Sequence, residues 1–415
     1  MSVRLAVLVG VLGGCAPCAA AQAALPMGTH RMVLDCPGGE LPFHLQLTGD
    51  GAGGLLAFVI NGSERIAVPE VVAGEQLALR FPHYDSELVL DWRRGKGALA
   101  GEWIKRRGNG EPTRMKVHAS PAPARFAIGA DAIGTAPADW CLGRFRVAFA
   151  KSDDPAVGEF RRAQGPYHDL EGTFLTTLGD YRYLAGNQRV RGFSLSCFDG
   201  AHAFLFHAEH VQGDDSIRGE FWSSDTWHET WTAVRDEHAA LPDGFGLTKW
   251  RDGAKPGDAV FHDLDGRTHT LDDDGFAGTV RVVELFGTWC PNCHDHGAYM
   301  VELQRRYAER GLKIVGIAFE HDADAGRSAR QVRAFAARHG ATYPIWIGGL
   351  SDKQLAGAAL GWLDRVRAFP TTLFVDRAGV VRGIYQGFSG PATGAEHARL
   401  RERFETLIET MLRDG

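Results

Sequence analysis

The sequence predicts a multidomain chain in which N-terminal all-β modules precede a C-terminal α/β domain. Three observations carry this. The 415 residues suffice for two to three domains of about 150 residues each. Up to residue 236, short apolar runs alternate with turn residues, and 52 glycines without a collagen-like period mark many strand-to-strand connections. Beyond Asp258, strand-like and helix-like patterns alternate.

Composition removes other classes. With 44% hydrophobic and 23% charged residues, the chain is neither disordered nor a multi-span membrane protein. The 45 basic and 51 acidic residues leave a formal charge of −6, with no basic run of the kind that binds nucleic acid, so none is expected as a partner.

Residues 1–24 read as a signal peptide: Arg4 precedes the apolar run Leu5 to Leu12, which is too short to span a bilayer. Two processing sites compete. Ala21-Gln22-Ala23 is a small-x-small site that would free a soluble protein. Leu12-Gly13-Gly14-Cys15 is similar to a bacterial lipobox, in which Cys15 would carry lipid and provide the only membrane contact expected. Both readings put the protein outside the cytoplasm, with the periplasm as the expected compartment.

Seven cysteines sort by position. Cys15 and Cys18 lie in the leader, and Cys290 and Cys293 form a CxxC. Cys36, Cys141 and Cys197 are an odd set, from which an oxidising compartment allows one structural bridge and one buried thiol.

The first β module, 25–120, carries strand-like runs at Phe43–Leu47, Leu55–Ile60, Leu77–Phe81 and Leu88–Trp92, with Asn61-Gly62 as a hairpin signal. Ser120-Pro-Ala-Pro-Ala124 reads as a hinge or edge. The second, 121–236, carries runs at Phe145–Phe149, Gly172–Leu175, Tyr181–Tyr183, Phe193–Cys197, Ala203–His207 and Gly219–Trp222. A faint echo, Cys36-x-x-Gly39-x-x-x-Phe43 against Cys197-x-x-Gly200-x-x-x-Phe204, suggests duplication of one β unit or two unrelated sheets. His202, His207 and His210 lack metal-ligand spacing, so they are expected to pack, and no metal or cofactor is expected. Residues 237–257, with Pro242, Gly244, Gly246, Pro256 and Gly257, read as a linker.

Within 258–415, Val280–Phe286 is a continuous apolar run, as in a strand covered on both faces. Tyr299–Arg310 is helical, Leu312–Phe319 a second buried strand, Ala325–His339 a helix closed by Gly340, and Tyr343–Ile347 a short strand. Asp376-Arg-Ala-Gly379 is a turn between strands Thr371–Val375 and Val380–Tyr385, and Glu396–Leu412 is a closing amphipathic helix. The expected order is β-α-β-α-β-β-α.

Trp289-Cys290-Pro291-Asn292-Cys293 falls where the first buried strand hands over to a helix. Unpaired backbone N–H groups and the helix dipole favour negative charge there, which suits Cys290 as the exposed attacking sulfur. Pro291 fits the first helical turn because its missing N–H has no acceptor there. Cys293, one turn along, is the resolving sulfur. Glu284, inside the strand, is costly unless protonated or paired, so it is expected either to take the proton of Cys293 or to form a structural salt bridge. Glu320 ends the second strand on the sheet edge that holds the CxxC, since parallel strands present their C-terminal ends together. Trp289 is expected as an apolar contact for a partner protein.

Thr288-Trp-Cys-Pro-Asn-Cys293, followed about 80 residues later by Phe369-Pro370-Thr371-Thr372, resembles the thioredoxin superfamily, and the leader and the helix Ala325–His339 fit its TlpA/ResA-like branch of extracytoplasmic thiol-disulfide oxidoreductases. The resemblance covers about 155 residues and implies a thioredoxin-like domain over 258–415. It implies that Pro370 is cis, lies against the redox pair, and that Phe369 and Thr371 border the bound substrate strand. It also implies that Glu284 matches a buried acid, usually Asp in thioredoxins and neutral in many TlpA-type proteins, and that Glu320 lies near an active-site Glu. The function implied is disulfide reduction on protein substrates, supplied by an upstream electron donor, with haem-maturation apoproteins as one substrate class.

Three other readings compete. Cys290-Pro-Asn-Cys293-His294 satisfies CxxCH, the haem c attachment motif, with His294 as axial ligand; the flanking strand and the Pro370 segment are not needed for such a site. A peroxiredoxin wants Thr or Ser at a fixed distance before its cysteine, within a Pro-x-x-x-Thr/Ser-x-x-Cys motif that this sequence lacks. A binding or scaffold protein with a vestigial redox domain is the third.

Overall fold

The computed structural model describes residues 25–414 apart from 93–98, 107, 109, 123, 127–138, 190, 215 and 274. The expected leader 1–24, with Cys15 and both processing sites, lies outside the described residues.

Three sheets follow one another along the chain. In the first, nine antiparallel strands span Gly28–Cys36 to Thr113–Ser120, and the first and last of them in sequence pair with each other at the middle of the sheet. The sheet curls around a core that includes Phe43, Phe81, Leu88 and Trp103, leaving the short strands Glu64–Ala67 and Glu70–Ala73 as its two edges. Period-two alternation drives the curl. In Ser86–Asp91 each second side chain is buried, so one face is apolar and must be covered.

The second sheet closes on itself. Gly143–Phe149 pairs with both Ala156–Arg162 and Trp227–Arg235, and Ala156–Arg162 pairs on with Leu170–Thr176. Strand follows strand around an antiparallel barrel, with Gly179–Asp180 appended to Leu170–Thr176. Phe160, Phe174, Phe193, Phe206, Phe221 and Trp231 fill the interior, Phe174 stacking on Phe206 at 4.6 Å. The barrel is thus a packed aromatic core rather than a ligand cavity. One expectation needs correcting here, and one strand was not expected. Tyr181–Tyr183 is not a strand but irregular chain, in which Arg182 adopts φ 64. Trp227–Arg235 is a strand, and its clean alternation of buried and exposed residues was hidden by its polar outer face.

Both copies of the Cys-x-x-Gly echo lie at hairpin turns, between Gly28–Cys36 and Gly39–Gly49 and between Gly192–Phe198 and Ala203–His210. The two sheets meet through Arg125, whose buried guanidinium donates to Ser196 Oγ, Ser196 O, Asn61 Oδ1 and Ile60 O. Asn61 of the expected hairpin donates in turn to Phe198 O at 2.7 Å. No structural bridge joins Cys36, Cys141 and Cys197. All the described cysteines are free thiols, because Cys36 donates to Ser224 O while Cys141 and Cys197 fill space in the barrel core.

The third sheet has seven strands, with Val280–Phe286 between Leu312–Glu320, to which it is parallel, and Thr371–Val375, to which it is antiparallel. Four helices pack on it: α1 (Pro291–Tyr307), α2 (Ala325–His339), α3 (Lys353–Leu360) and α4 (Ala395–Arg413). α3 was not expected. Its eight residues are too few to show a period, although Asp352 caps its N-terminus by accepting from Gln354 N and Leu355 N. The expected linker 237–257 joins this domain's packing: Phe245 meets Tyr385 and Phe404, and Trp250 bridges to Leu363.

Candidate active site

All seven residues of Val280–Phe286 are buried, and the strand delivers the chain through Gly287 to Cys290, the N-cap residue of α1, with Pro291 at the first helical position. Cys293 N donates to Cys290 O at 3.0 Å, so the two cysteines share the first turn. Cys290 is 9% exposed and Cys293 fully buried. Burial, and then the neighbouring Cys290 thiol, push the Cys293 thiol well above its ordinary value.

The Phe369–Pro370 peptide is cis, and Cys290 Sγ donates to Phe369 O at 3.5 Å. The CxxC and the Pro370 segment therefore meet, although Leu285 rather than Cys290 is the residue paired with Thr371 in the sheet. Phe369 is nearly buried, stacked on Phe319 at 5.3 Å. Thr371 is buried with its hydroxyl donated to Ala368 O, so its side chain supports the loop and is not presented outward.

Glu284 lies at the centre of a buried polar chain. Its Oε1 accepts from Tyr343 Oη at 2.6 Å, its Oε2 lies 2.9 Å from His296 Nδ1, and His296 Nε2 lies 2.9 Å from Thr372 Oγ1. Glu284, His296 and Thr372 are fully buried. Both carboxylate oxygens are thus occupied, as a carboxylate in a dry strand requires. His296, Tyr343 and Thr372 were not singled out in the sequence. The only local signal was that His296 stands one helical turn beyond Cys293.

Glu320 turns back onto the redox loop: Oε1 accepts from Thr288 N at 3.0 Å and Oε2 from Thr288 Oγ1 at 2.7 Å. Burial pushes its carboxyl up to about 7, against the opposing pull of the two Thr288 bonds. Trp289 is half-buried, donating Nε1 to Phe319 O at 2.9 Å and stacking on His321 at 4.4 Å. It packs inward more than a free apolar contact would, and it lines a cleft shared with Tyr84 and Arg106 of the first sheet.

His294 does not fit the haem reading. Its Nε2 lies 2.8 Å from Thr288 O and its Nδ1 2.8 Å from His339 Nε2, and the ring is packed against His83, Tyr84 and Phe335. Both nitrogens are engaged inside the protein, and neither faces a space where a porphyrin iron could lie. Among the described residues no group of three or more His, Cys, Asp or Glu is arranged to hold a metal ion.

The Redoxin family model matches residues 251–398. The chain is similar to the thiol-disulfide oxidoreductase ResA of Geobacillus thermodenitrificans (strain NG80-2), 33% identical over 135 residues, covering 32% of this chain and 69% of that protein. It is similar to the thioredoxin-like protein YneN of Bacillus subtilis (strain 168), 31% identical over 137 residues, covering 33% of this chain and 72% of that protein. Among solved structures, a thiol:disulfide interchange protein of the thioredoxin family from Chlorobium tepidum TLS aligns with 23% identity and a TM-score of 0.28, over 39% of this chain and 99% of that one.

Proposed function

This chain belongs to the family of the ResA thiol-disulfide oxidoreductases, and from that premise we propose that it reduces disulfides in protein substrates outside the cytoplasm through Cys290 and Cys293. The observation that carries the reading is Cys290, at the start of a helix, with its sulfur against Phe369 O beside the cis peptide of Pro370.

Cys290 sulfur, as thiolate, attacks one sulfur of the substrate disulfide, forming a mixed disulfide and releasing the other as a thiolate that takes up a proton. Cys293 then loses its proton and attacks Cys290 sulfur. The substrate leaves as a dithiol, and Cys290–Cys293 becomes the disulfide. An upstream dithiol donor returns the two electrons. In this scheme Glu284 accepts the Cys293 proton, and Pro370, Phe369 and Thr371 shape the strip along which an extended substrate lies. Glu320 holds the Thr288–Cys290 loop, and Trp289 forms the adjoining apolar wall.

The reductase direction is part of this proposal, and it is set by the reduction potential of the Cys290/Cys293 pair against that of its donor and substrate. Titrating the pair in glutathione buffers tests the direction. The expected midpoint lies near the ~−270 mV of thioredoxin, and one near the ~−120 mV of a strong oxidant would reverse the assignment. The extracytoplasmic location rests on the expected leader, and fractionation of cells expressing the full chain tests it.

A further inference from the structure

We propose that the turn end of the second barrel is a selectivity cap over the redox pair, so that Cys290 is reached by an extended disulfide-bearing polypeptide segment and not by the surface of a folded protein. This rests on the reading of Cys290 as the attacking sulfur and names its substrate class.

The barrel touches three segments near that sulfur. Asp154, in the turn before Ala156–Arg162, pairs at 3.0 Å with Arg367, two residues ahead of Phe369. Thr177 O accepts from Gln386 Nε2 at 3.0 Å, next to Gly387, whose N–H donates to Pro370 O at 2.9 Å. Asp180 O accepts from Asn292 Nδ2 at 3.2 Å, and Asp180 Oδ2 accepts from Gly390 N at 2.6 Å. Asn292 stands between the two cysteines, on the surface a docking protein would have to cover.

The contacts are close enough to dictate residue type. A Cβ on Gly179 would collide with the Asn292 amide, and one on Gly387 would press on Thr177 O; both residues also hold positive φ, at 148° and 78°. Backbone is therefore laid directly on the redox helix and on the loop beside Pro370. Arg182 fixes this end of the barrel by pairing with Asp295 of α1 and with Glu64 of the first sheet. Cys290, two residues before Asn292, is 9% exposed.

Trp289 leads to the open flank. There a narrow cleft, with about 30 Å³ of free volume, separates the first sheet, at His83 and Tyr84, from Glu320 and Gln331 of the third domain. A space that small admits no folded domain.

The test compares reagent sizes at one sulfur. The reduced full-length chain is treated with iodoacetamide or with a maleimide carried on a polyethylene glycol chain, and labelling at Cys290 is read by mass spectrometry. Relative to the unfolded chain, the polymer reagent is expected to lag the small one by roughly tenfold. Asp154→Ala combined with Asp180→Asn, which loosens the cap, should shrink that gap. Leu178→Trp at the exposed hairpin tip should widen it and needs no buried change. Turnover of a short cystine peptide against a folded protein carrying a surface disulfide should shift in the same direction.

Equal lag in the folded and unfolded wild type, or one unchanged ratio across all three folded proteins, overturns the cap. If neither substrate is reduced while the labelling gap persists, the disulfide reductase reading fails and the cap stands.

Discussion

Cys290 Sγ lies 3.5 Å from the carbonyl oxygen of Phe369, although 79 positions separate the two residues in the chain. The sulfur proposed to attack thus borders the backbone strip that ends in Pro370, while Cys293 lies one turn along and fully buried. This division of labour predicts unequal phenotypes. Cys290→Ser should abolish insulin reduction. Cys293→Ser should still attack and then stall, accumulating a mixed disulfide visible on a non-reducing gel and lost on adding dithiothreitol. Mixed disulfide formation in Cys290→Ser but not in Cys293→Ser would reverse the two roles.

The resolving step needs a proton acceptor, because burial holds the Cys293 thiol well above its ordinary value. Glu284 is the buried acid whose charge acts on that thiol, and Tyr343 and His296 fix its orientation. Preloading Cys290 with thionitrobenzoate isolates the step, since attack by Cys293 releases a coloured thiol. Glu284→Gln should slow this release at pH 7 by about tenfold or more. The deficit should close as pH rises, because hydroxide then removes the proton. His296→Asn should give a smaller loss of the same shape. A pH profile parallel to wild type in both variants would leave Glu284 as a structural acid only.

Glu320 makes a prediction about stability. Its carboxyl is raised from 4.5 to about 7 in the folded protein, so the folded state binds the proton more tightly than the unfolded one. Stability from this group is greatest below about pH 4.5 and falls as pH climbs through the interval to 7, by on the order of 2–3 kcal/mol. Glu320→Gln keeps the shape and can still bond the Thr288 N–H and hydroxyl, but it carries no charge. Thermal melts at pH 5 and pH 8 should show a smaller drop for the variant than for wild type. An identical drop would mean that Glu320 is paired by something other than Thr288.

Much of the third domain was legible because its signals are local. Val280–Phe286 is an unbroken apolar run and Ala325–His339 ends at Gly340 in a left-handed cap, and both elements fall on their expected bounds. The CxxC carries its own chemistry in four residues. What stayed hidden depends on contacts between distant positions. Tyr343 reaches Glu284 across 59 residues and Thr372 reaches His296 across 76, distances over which no periodicity operates. The barrel's closure depends on Ala156–Arg162 pairing on both sides, which alternation cannot specify. Asn292 looked like a spacer between cysteines, and its partner Asp180 lies in another domain.

Arg182 ties the three domains together and should be the most sensitive position outside the redox pair. It is 7% exposed, belongs to the second barrel's region, and faces Glu64 of the first sheet at 2.8 Å, Asp295 of α1, and Asp199 Oδ2 at 3.8 Å. Arg182→Met would leave buried carboxylates without their cation, a loss of about 3–5 kcal/mol. That loss should depend on pH. Burial already lifts Asp295 to about 7, against the opposing pull of Arg182, and burial raises Glu64 and Asp180 as well. At pH 5 the folded protein holds Asp295 largely protonated, so the missing cation matters less. At pH 8 that carboxylate is ionised and its lost partner counts in full. Guanidinium denaturation of wild type and variant at the two pH values should therefore give a larger difference at pH 8. An equal difference at both would mean that Arg182 holds the junction by packing and neutral hydrogen bonds, with the carboxylates as bystanders.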